Sequence, residues 1–428
     1  MKIGFLSYRS NPFSGGQGIY VKHLSHALVN LGHEVDVISG PPYPELDNSV
    51  NLIKVPSLNL FELEDNQRLT SFRMRFLKNS TDLFEWAGVL SGGFPEPYTF
   101  GRRVEVLLKD EGYKYDVIHD NQSLCHALLN LQKKIPLVTT IHHPITRDHR
   151  LELQATTNWK QRFSTNRWHS FLKMQKKVAP KLNRIICPSN QSKEDVVEEF
   201  KVDREKIDVV LNGIDIEGFR RDEKVQTEPY RIITTASADV PLKGLKFLIK
   251  AISEVINEIP QIHLVVIGRA KEDGEILKQI SDLNLKGKIS FHSGLSQSEL
   301  VSLYSSAQIS VIPSLYEGFG FGAGEAMACG LPLISTQSGG LKEVIGQDAV
   351  IIEAGSSKAI AEAIKSLFLD KERQLSLSKL GRQRMENKFN WMKAAKGYEE
   401  IYVKAIEEFQ DLSLIHISEP TRRTPISY

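Results

Sequence analysis

The chain has 428 residues, 41% hydrophobic and 25% charged, with a formal net charge of +2. That length exceeds one ordinary domain and suits two, each with its own core. The balance argues against wholesale disorder and against a membrane-spanning protein, and the near-neutral charge provides no field that would attract nucleic acid.

Met1 to Leu6 enters a strand pattern with no apolar leader ahead of it. Three widely spaced cysteines, Cys125, Cys187 and Cys329, form no Cys-x-x-Cys pair, so the expectation is a cytoplasmic protein without a disulfide framework or a zinc site. Strands are predicted at Lys2–Tyr8, Glu34–Ser39, Tyr115–Asn121, Leu137–His142, Arg184–Ser189 and Ile207–Asn212. Helical periodicity lies between them, as at Gly18–Leu31 (Ile19, Val21, Leu24, Ala27, Leu28, Leu31) and Lys193–Phe200. This alternation predicts a doubly wound α/β domain over residues 1–214.

Two stretches depart from the repeat, Leu60 to Glu111 and Thr146 to Lys181, and insertions of this kind either tune substrate choice or cover the core. Around the second, His142 to Arg184 holds ten Lys or Arg against two acids, Asp148 and Glu152. Trp159, Phe163, Trp168, Phe171, Leu172, Met174 and Val178 are interleaved with them. The pattern is compatible with contact to an anionic membrane and a lipid-linked acceptor. A helix packed on the domain with a solvated basic face is the simpler alternative.

Residues 215–229 are polar and weakly patterned and read as a linker. A second series follows over 230–390, with strands near Arg231–Ala236, His263–Gly268, Ile289–His292, Ile309–Pro313, Leu333–Thr336 and Val350–Glu353. A last helix, 391–411, is expected to pack back towards the first domain. Leu412 to Arg422 (LSLIHISEPTR) resembles a translated sequencing adapter, so 412–428 is set aside and the natural C-terminus is expected to have been cut at about Asp411.

The stretch Ile312 to Ile345, IPSLYEGFGFGAGEAMACGLPLISTQSGGLKEVI, carries the strongest chemical signal. A strand ends near Pro313, a turn containing Gly318, Gly320, Gly322 and Gly324 follows, and a helix opens near Phe321. Such a turn aims unpaired N–H groups and the positive end of a helix dipole at a ligand, which suits a phosphate. Glu317 and Glu325 bracket it. Carboxylates repel phosphate, so they read as acceptors for sugar hydroxyls beside it. A tight connection with a dipole-satisfying acid explains the spacing equally well.

Glu317 and Glu325, with seven residues between them, followed by EAMACGLPLIST and SGGLKEV, closely resemble the Glu-x7-Glu signature of retaining glycosyltransferases of family 4. The resemblance extends through SGGQGIYV, LGHEV, YDVIHD, PSNQSKEDV and LNGID, and so along most of the chain. It implies a GT-B fold of two facing Rossmann-like domains, with the acceptor chiefly on the first and a UDP- or GDP-sugar chiefly on the second. It also implies retention of configuration and no essential metal or other cofactor. Carried over residue by residue, it places Glu325 on the donor ribose and Glu317 on the transferred sugar. The N–H groups of Phe319 and Gly320, beside Gly318, then face the sugar and phosphates. Gly15 and Gly16 border the diphosphate from across the cleft, and His142 lies near the sugar, with His143 as a less secure choice.

One departure stands out: where the family commonly carries an arginine and a lysine against the donor diphosphate, this chain has Ala238 and Lys243. Arg269 or Lys271 is a candidate replacement. A nicotinamide-dependent oxidoreductase is rejected because Val21 follows Gly16 and Gly18 where a third glycine would stand. A GT-B epimerase or phosphorylase and a catalytically weak sugar-nucleotide-binding subunit remain as alternatives.

Overall fold

The strand sequences are short, continuous apolar runs, the pattern of sheets covered on both faces. In the computed structural model, which describes every residue except 12–15, 64, 72, 157, 237–239, 273 and 419–428, they form two parallel sheets. The strands of the first are β1 Lys2–Ser7, β2 Glu34–Ser39, β3 Asn51–Lys54, β4 Val117–Asn121, β5 Leu137–Thr140, β6 Ile185–Cys187 and β7 Ile207–Val209. Those of the second are β8 Arg231–Thr235, β9 His263–Ile267, β10 Ile289–His292, β11 Ile309–Ile312, β12 Leu333–Ser335 and β13 Val350–Ile351. Their orders are β3-β2-β1-β4-β5-β6-β7 and β10-β9-β8-β11-β12-β13. In each sheet the order reverses once, between β1 and β4 and between β8 and β11. Loops at such switch points open a crevice beyond the carboxyl ends of the strands.

Helices in the first half are α1 Gly16–Asn30, α2 Asp65–Thr70, α3 Ser80–Leu90, α4 Glu96–Asp110, α5 Ala127–Leu131, α6 Thr146–Ala155, α7 Trp159–Trp168, α8 Leu172–Val178 and α9 Asn190–Phe200. In the second they are α10 Leu245–Val255, α11 Glu275–Asp282, α12 Gln297–Ser306, α13 Phe321–Ala328, α14 Leu341–Ile345, α15 Ser357–Leu369, α16 Lys371–Lys388 and α17 Trp391–Ser418. Side chains such as Ile3, Phe5, Val37, Val117 and Leu24 are buried between α1 and the first sheet, and Ile232, Leu248, Ile252, Leu264 and Ile364 between α10, α15 and the second.

β2, β4 and β10 end where the sequence pattern predicts, and the other nine predicted strands end one to three residues earlier, because the last residues of those apolar runs have turned out of the ladder into the crevice loops. β3 was not predicted at all: NLIK is short, and no residue of it is fully buried, as befits an edge strand. Residues 215–229 do not hang free. Phe219 is buried in the second core, the Arg382 guanidinium donates to the Ile216 and Phe219 carbonyls at 2.9 Å, and the Asp222 N–H donates to Ser305 Oγ at 2.9 Å.

The chain crosses between domains twice at one place, where Ile214 bridges Asn390. From there α17 lies against α1 and the first sheet. Tyr398 OH accepts from Tyr20 OH at 2.8 Å, and Tyr402 OH meets Nδ1 of the buried His119 at 2.7 Å. The helix is described to Ser418, within the set-aside tail, and residues 419–428 lie outside the described residues.

Candidate functional site

The turn after β11 is held open by its glycines. Gly320 caps α13 at φ 108°, a conformation that a side chain would strain, and a Cβ there would also stand 2.5 Å from Leu341 Cδ2. No side chain caps the helix. The N–H groups of Phe319, Gly320, Phe321 and Gly322 have no hydrogen-bond partner among the described residues. Four successive free donors at the positive end of a helix make an anion site.

Glu317 stands at the entrance to this turn. Its backbone forms a parallel bridge with Gly339, and the Gly340 N–H donates to its carbonyl at 2.7 Å. Its carboxylate accepts from Ser314 Oγ at 2.9 Å and from Lys243 Nζ at 2.7 Å. Lys243 reaches it because the turn Pro241–Lys243, after β8, docks on the loop after β11 through the Leu315 N–H and the Leu242 carbonyl, 2.7 Å apart. Gly244 closes that turn at φ 67°, with no room for a Cβ beside the Pro313 carbonyl. The two switch-point loops of the second sheet thus share one ion pair.

Glu325, one turn into α13, is 6% exposed. Burial pushes its carboxyl up to about 7, against the opposing hydrogen bond from Tyr304 OH at 3.2 Å; Asp215 raises it further and Lys243 lowers it. It is a buried acceptor with spare lone pairs.

The first domain faces this turn with His142, just past β5. The Asn121 amide donates to Ser7 Oγ at 3.2 Å, which turns its oxygen towards His142 Nε2, 2.7 Å away. That pairing sets the Nε2–H tautomer and leaves the Nδ1 lone pair without a partner among the described residues. Burial, then the neighbouring His143, lowers the His142 imidazole to about 3, so it is neutral at pH 7. His143 goes the other way: burial lowers it, but the Asp148 carboxylate at 2.9 Å and the charge of Glu317 more than offset that, and its pKa is raised.

The two domains meet across these groups. Ser189 and Ser192 donate to the Gly318 carbonyl at 3.1 and 3.0 Å. Tyr316 OH donates to Asp195 at 2.5 Å, under the Arg147 guanidinium. A Cβ on Gly318 would be 2.9 Å from the His142 carbonyl, and one on Gly16 would be 3.1 Å from Phe321. The β1–α1 turn, His142 and the N-terminus of α13 therefore border one crevice. Among the described residues no three His, Cys, Asp or Glu side chains converge as a metal site.

The profile described as Glycosyltransferase Family 4 matches residues 14–217, and the one described as Glycosyl transferases group 1 matches 217–384. The MMP alpha-(1->4)-mannosyltransferase of Mycolicibacterium hassiacum is 40% identical over 412 residues, which is 95% of this chain and 98% of the relative. The chain belongs to glycosyltransferase family 4. A glycogen synthase of Mycobacterium tuberculosis is 25% identical over 95% of each chain. Among solved structures, this glycosyltransferase superposes on sucrose-phosphate synthase from Thermosynechococcus elongatus with a TM-score of 0.72 at 22% identity, over 95% of this chain and 99% of that one. It superposes on Anabaena HepE in complex with UDP-glucose at 0.69 and 17% identity, over 94% and 100%. The fold is GT-B.

The crevice of the glycosyltransferase brings together Glu317, Gly318, Phe319, Gly320, Lys243, His142 and Gly16 from both domains, with Glu325 buried behind the turn. The Phe319 side chain is itself core, packed on Phe321 and Phe389. Gly15 and Ala238 lie outside the described residues. Arg269 is exposed in the loop after β9, and its guanidinium has no hydrogen bond or ion pair among the described residues. That loop adjoins the end of β8, where the Ala236 N–H donates to the Ile267 carbonyl at 3.0 Å. Sequence reasoning missed Asn121 and Gln122, which hold His142 by its ring and its N–H, and Asp195, Ser189 and Ser192, which join the domains. The only sequence trace of them was membership in, or adjacency to, the YDVIHD and PSNQSKEDV blocks.

Proposed function

We propose that this glycosyltransferase moves a hexose from a UDP- or GDP-sugar to a hydroxyl of a glycan or lipid-linked glycan, with retention of anomeric configuration and without a metal. The observation that carries this reading is the run of free N–H groups from Phe319 to Gly322, with the Lys243–Glu317 pair on one side and the buried Glu325 on the other. The donor diphosphate fits the N–H groups and Lys243, the ribose hydroxyls fit Glu325, and the sugar hydroxyls fit Glu317 and the free Nδ1 of His142. Arg269 supplies a further cation where the family arginine is replaced by Ala238. Gly15 and Gly16 border the diphosphate from the other side.

Glu317 is engaged by a lysine and a serine, so it is a poor covalent nucleophile. We therefore assign same-face attack. The acceptor oxygen bonds to the anomeric carbon as the bond to the phosphate oxygen breaks, and the acceptor proton passes to that departing oxygen. Catalysis then rests on positioning and on positive charge held where the diphosphate leaves. Peripheral contact with an anionic membrane through residues 142–181 is supported by α7, which has no buried residue and exposes Trp159 and Phe163 beside the exposed Lys160 and Arg162.

A thermal-shift screen against UDP-, GDP- and ADP-sugars tests the donor site. Stabilisation by one nucleotide class, lost in Glu325→Ala, is the expected result. No stabilisation, or stabilisation kept in the variant, contradicts the assignment. Nucleotide release without added acceptor would favour the epimerase alternative, and binding without transfer the non-catalytic subunit.

A further inference from the structure

A cavity of about 210 Å3 lies in the first domain between α3, the start of α4 and α8, away from the groups assigned to the donor. Its walls are chiefly apolar: Phe84, Phe94, Tyr98, Phe171 and Met174, with Phe94 against Phe171 at 5.4 Å and Phe84 against Tyr98 at 4.9 Å between ring centres. Phe94 also meets Tyr8, just beyond β1, at 6.2 Å, which puts the cavity at the carboxyl edge of the sheet, the edge the crevice opens on.

Arg167, from α7, also lines the cavity. Its guanidinium donates to Ser170 Oγ at 2.8 Å and to Ser91 Oγ, both neutral hydroxyls. It has no carboxylate partner among the described residues, and no acid lines the cavity. Nor is one near in sequence, since residues 153–193 contain nine Lys or Arg and no Asp or Glu. The guanidinium lies so close over Gly93 that a Cβ there would be 2.4 Å from it. A half-buried cation against aromatic walls, with no counter-charge, is poorly solvated and unpaired, and an anion is the partner it lacks.

We propose that this cavity binds a single-chain anionic amphiphile, with the chain among the rings and a phosphate on Arg167, and that it holds the lipid phosphate of the acceptor. The second half rests on the lipid-linked reading of the acceptor, whereas the binding does not. A dry apolar cavity of about 150 Å3 accommodates benzene, so this one suits a short length of one alkyl chain and not a two-chain bilayer lipid.

Isothermal titration of the whole protein, without donor, compares octyl phosphate, butyl phosphate, inorganic phosphate and octyl glucoside, all below micelle-forming concentrations. Each buried methylene contributes up to about fourfold in affinity, so octyl phosphate is expected to bind at least about tenfold tighter than butyl or inorganic phosphate. It should also exceed octyl glucoside by about tenfold, through a charge-assisted bond to Arg167. Arg167→Met should lose that margin and leave octyl glucoside unchanged. Octyl phosphate no tighter than inorganic phosphate, or equally tight in Arg167→Met, overturns the proposal. The comparison among ligands on the unaltered protein stands even if the variant misfolds. Because no donor is present, failure here leaves the donor site assignment intact.

Discussion

Glu325→Gln should strengthen the fold and weaken donor binding, two effects of opposite sign from one carboxyl. Burial raises that carboxyl from an ordinary 4.5 to about 7. Between those pH values the native protein holds a proton that the unfolded chain has released, so stability falls as pH rises through the window and stays lowered above it. The difference amounts to roughly 3 kcal/mol at pH 8. Glutamine keeps the shape and the contact with Tyr304 OH but carries no charge to desolvate. Urea unfolding should show the variant more stable by up to about 3 kcal/mol at pH 8 and unchanged near pH 4.5. Donor binding should move the other way: a hydrogen bond to a charged acceptor contributes about 1.5–3 kcal/mol, so UDP or GDP affinity should fall roughly 10- to 150-fold. In the unaltered protein that affinity should rise from pH 6 to pH 8 as Glu325 ionises. A variant less stable at pH 8 would show that the Glu325 carboxylate is not destabilised by burial, and one that binds nucleotide as the parent does would remove Glu325 from the donor site.

Tyr402→Phe strands Nδ1 of His119 in the buried contact between α17 and the first sheet, and should cost about 1–3 kcal/mol in urea unfolding; a loss within error would mean α17 is held by other contacts. In Gly322→Ala the new methyl would lie 1.9 Å from Thr235 Oγ1. Donor affinity should drop as the start of α13 is displaced, and Thr235→Ala should restore part of it in the double variant; no restoration would place the damage elsewhere. Trp159 and Phe163, 74% and 67% exposed, should be replaceable together by alanine within about 0.5 kcal/mol of stability. The same pair should abolish sedimentation with anionic liposomes at low salt, and a parent protein indifferent to liposomes would end the membrane reading.

Much of the donor turn was legible because its information is local. A strand end, glycines at a helix start and two acids at fixed spacing lie within one short stretch, and the family resemblance gave them meaning. The Lys243–Glu317 pair was not legible as a pair, since its partners are 74 residues apart and meet only because β8 and β11 are neighbours in the sheet. The tautomer of His142 likewise depends on Asn121, 21 residues earlier, and through it on Ser7 in β1. Composition counted the apolar residues of the basic segment together, whereas packing divides them: Leu172, Met174 and Val178 face the core, and Trp159 and Phe163 face solvent. The uncompensated charge of Arg167 emerges only once α7 is folded against the Gly92–Gly93 turn.

The proposed reaction is metal-independent, retaining transfer from a nucleotide sugar bound at the Glu317 to Glu325 turn. It is tested most directly by proton NMR of a reaction containing an α-linked UDP- or GDP-hexose, octyl and methyl glycosides as acceptors, and EDTA. The α-anomeric product signal should accumulate first, at a rate unaffected by EDTA, and Glu317→Gln should abolish it. A β-linked first product, or transfer that requires added metal, would contradict it.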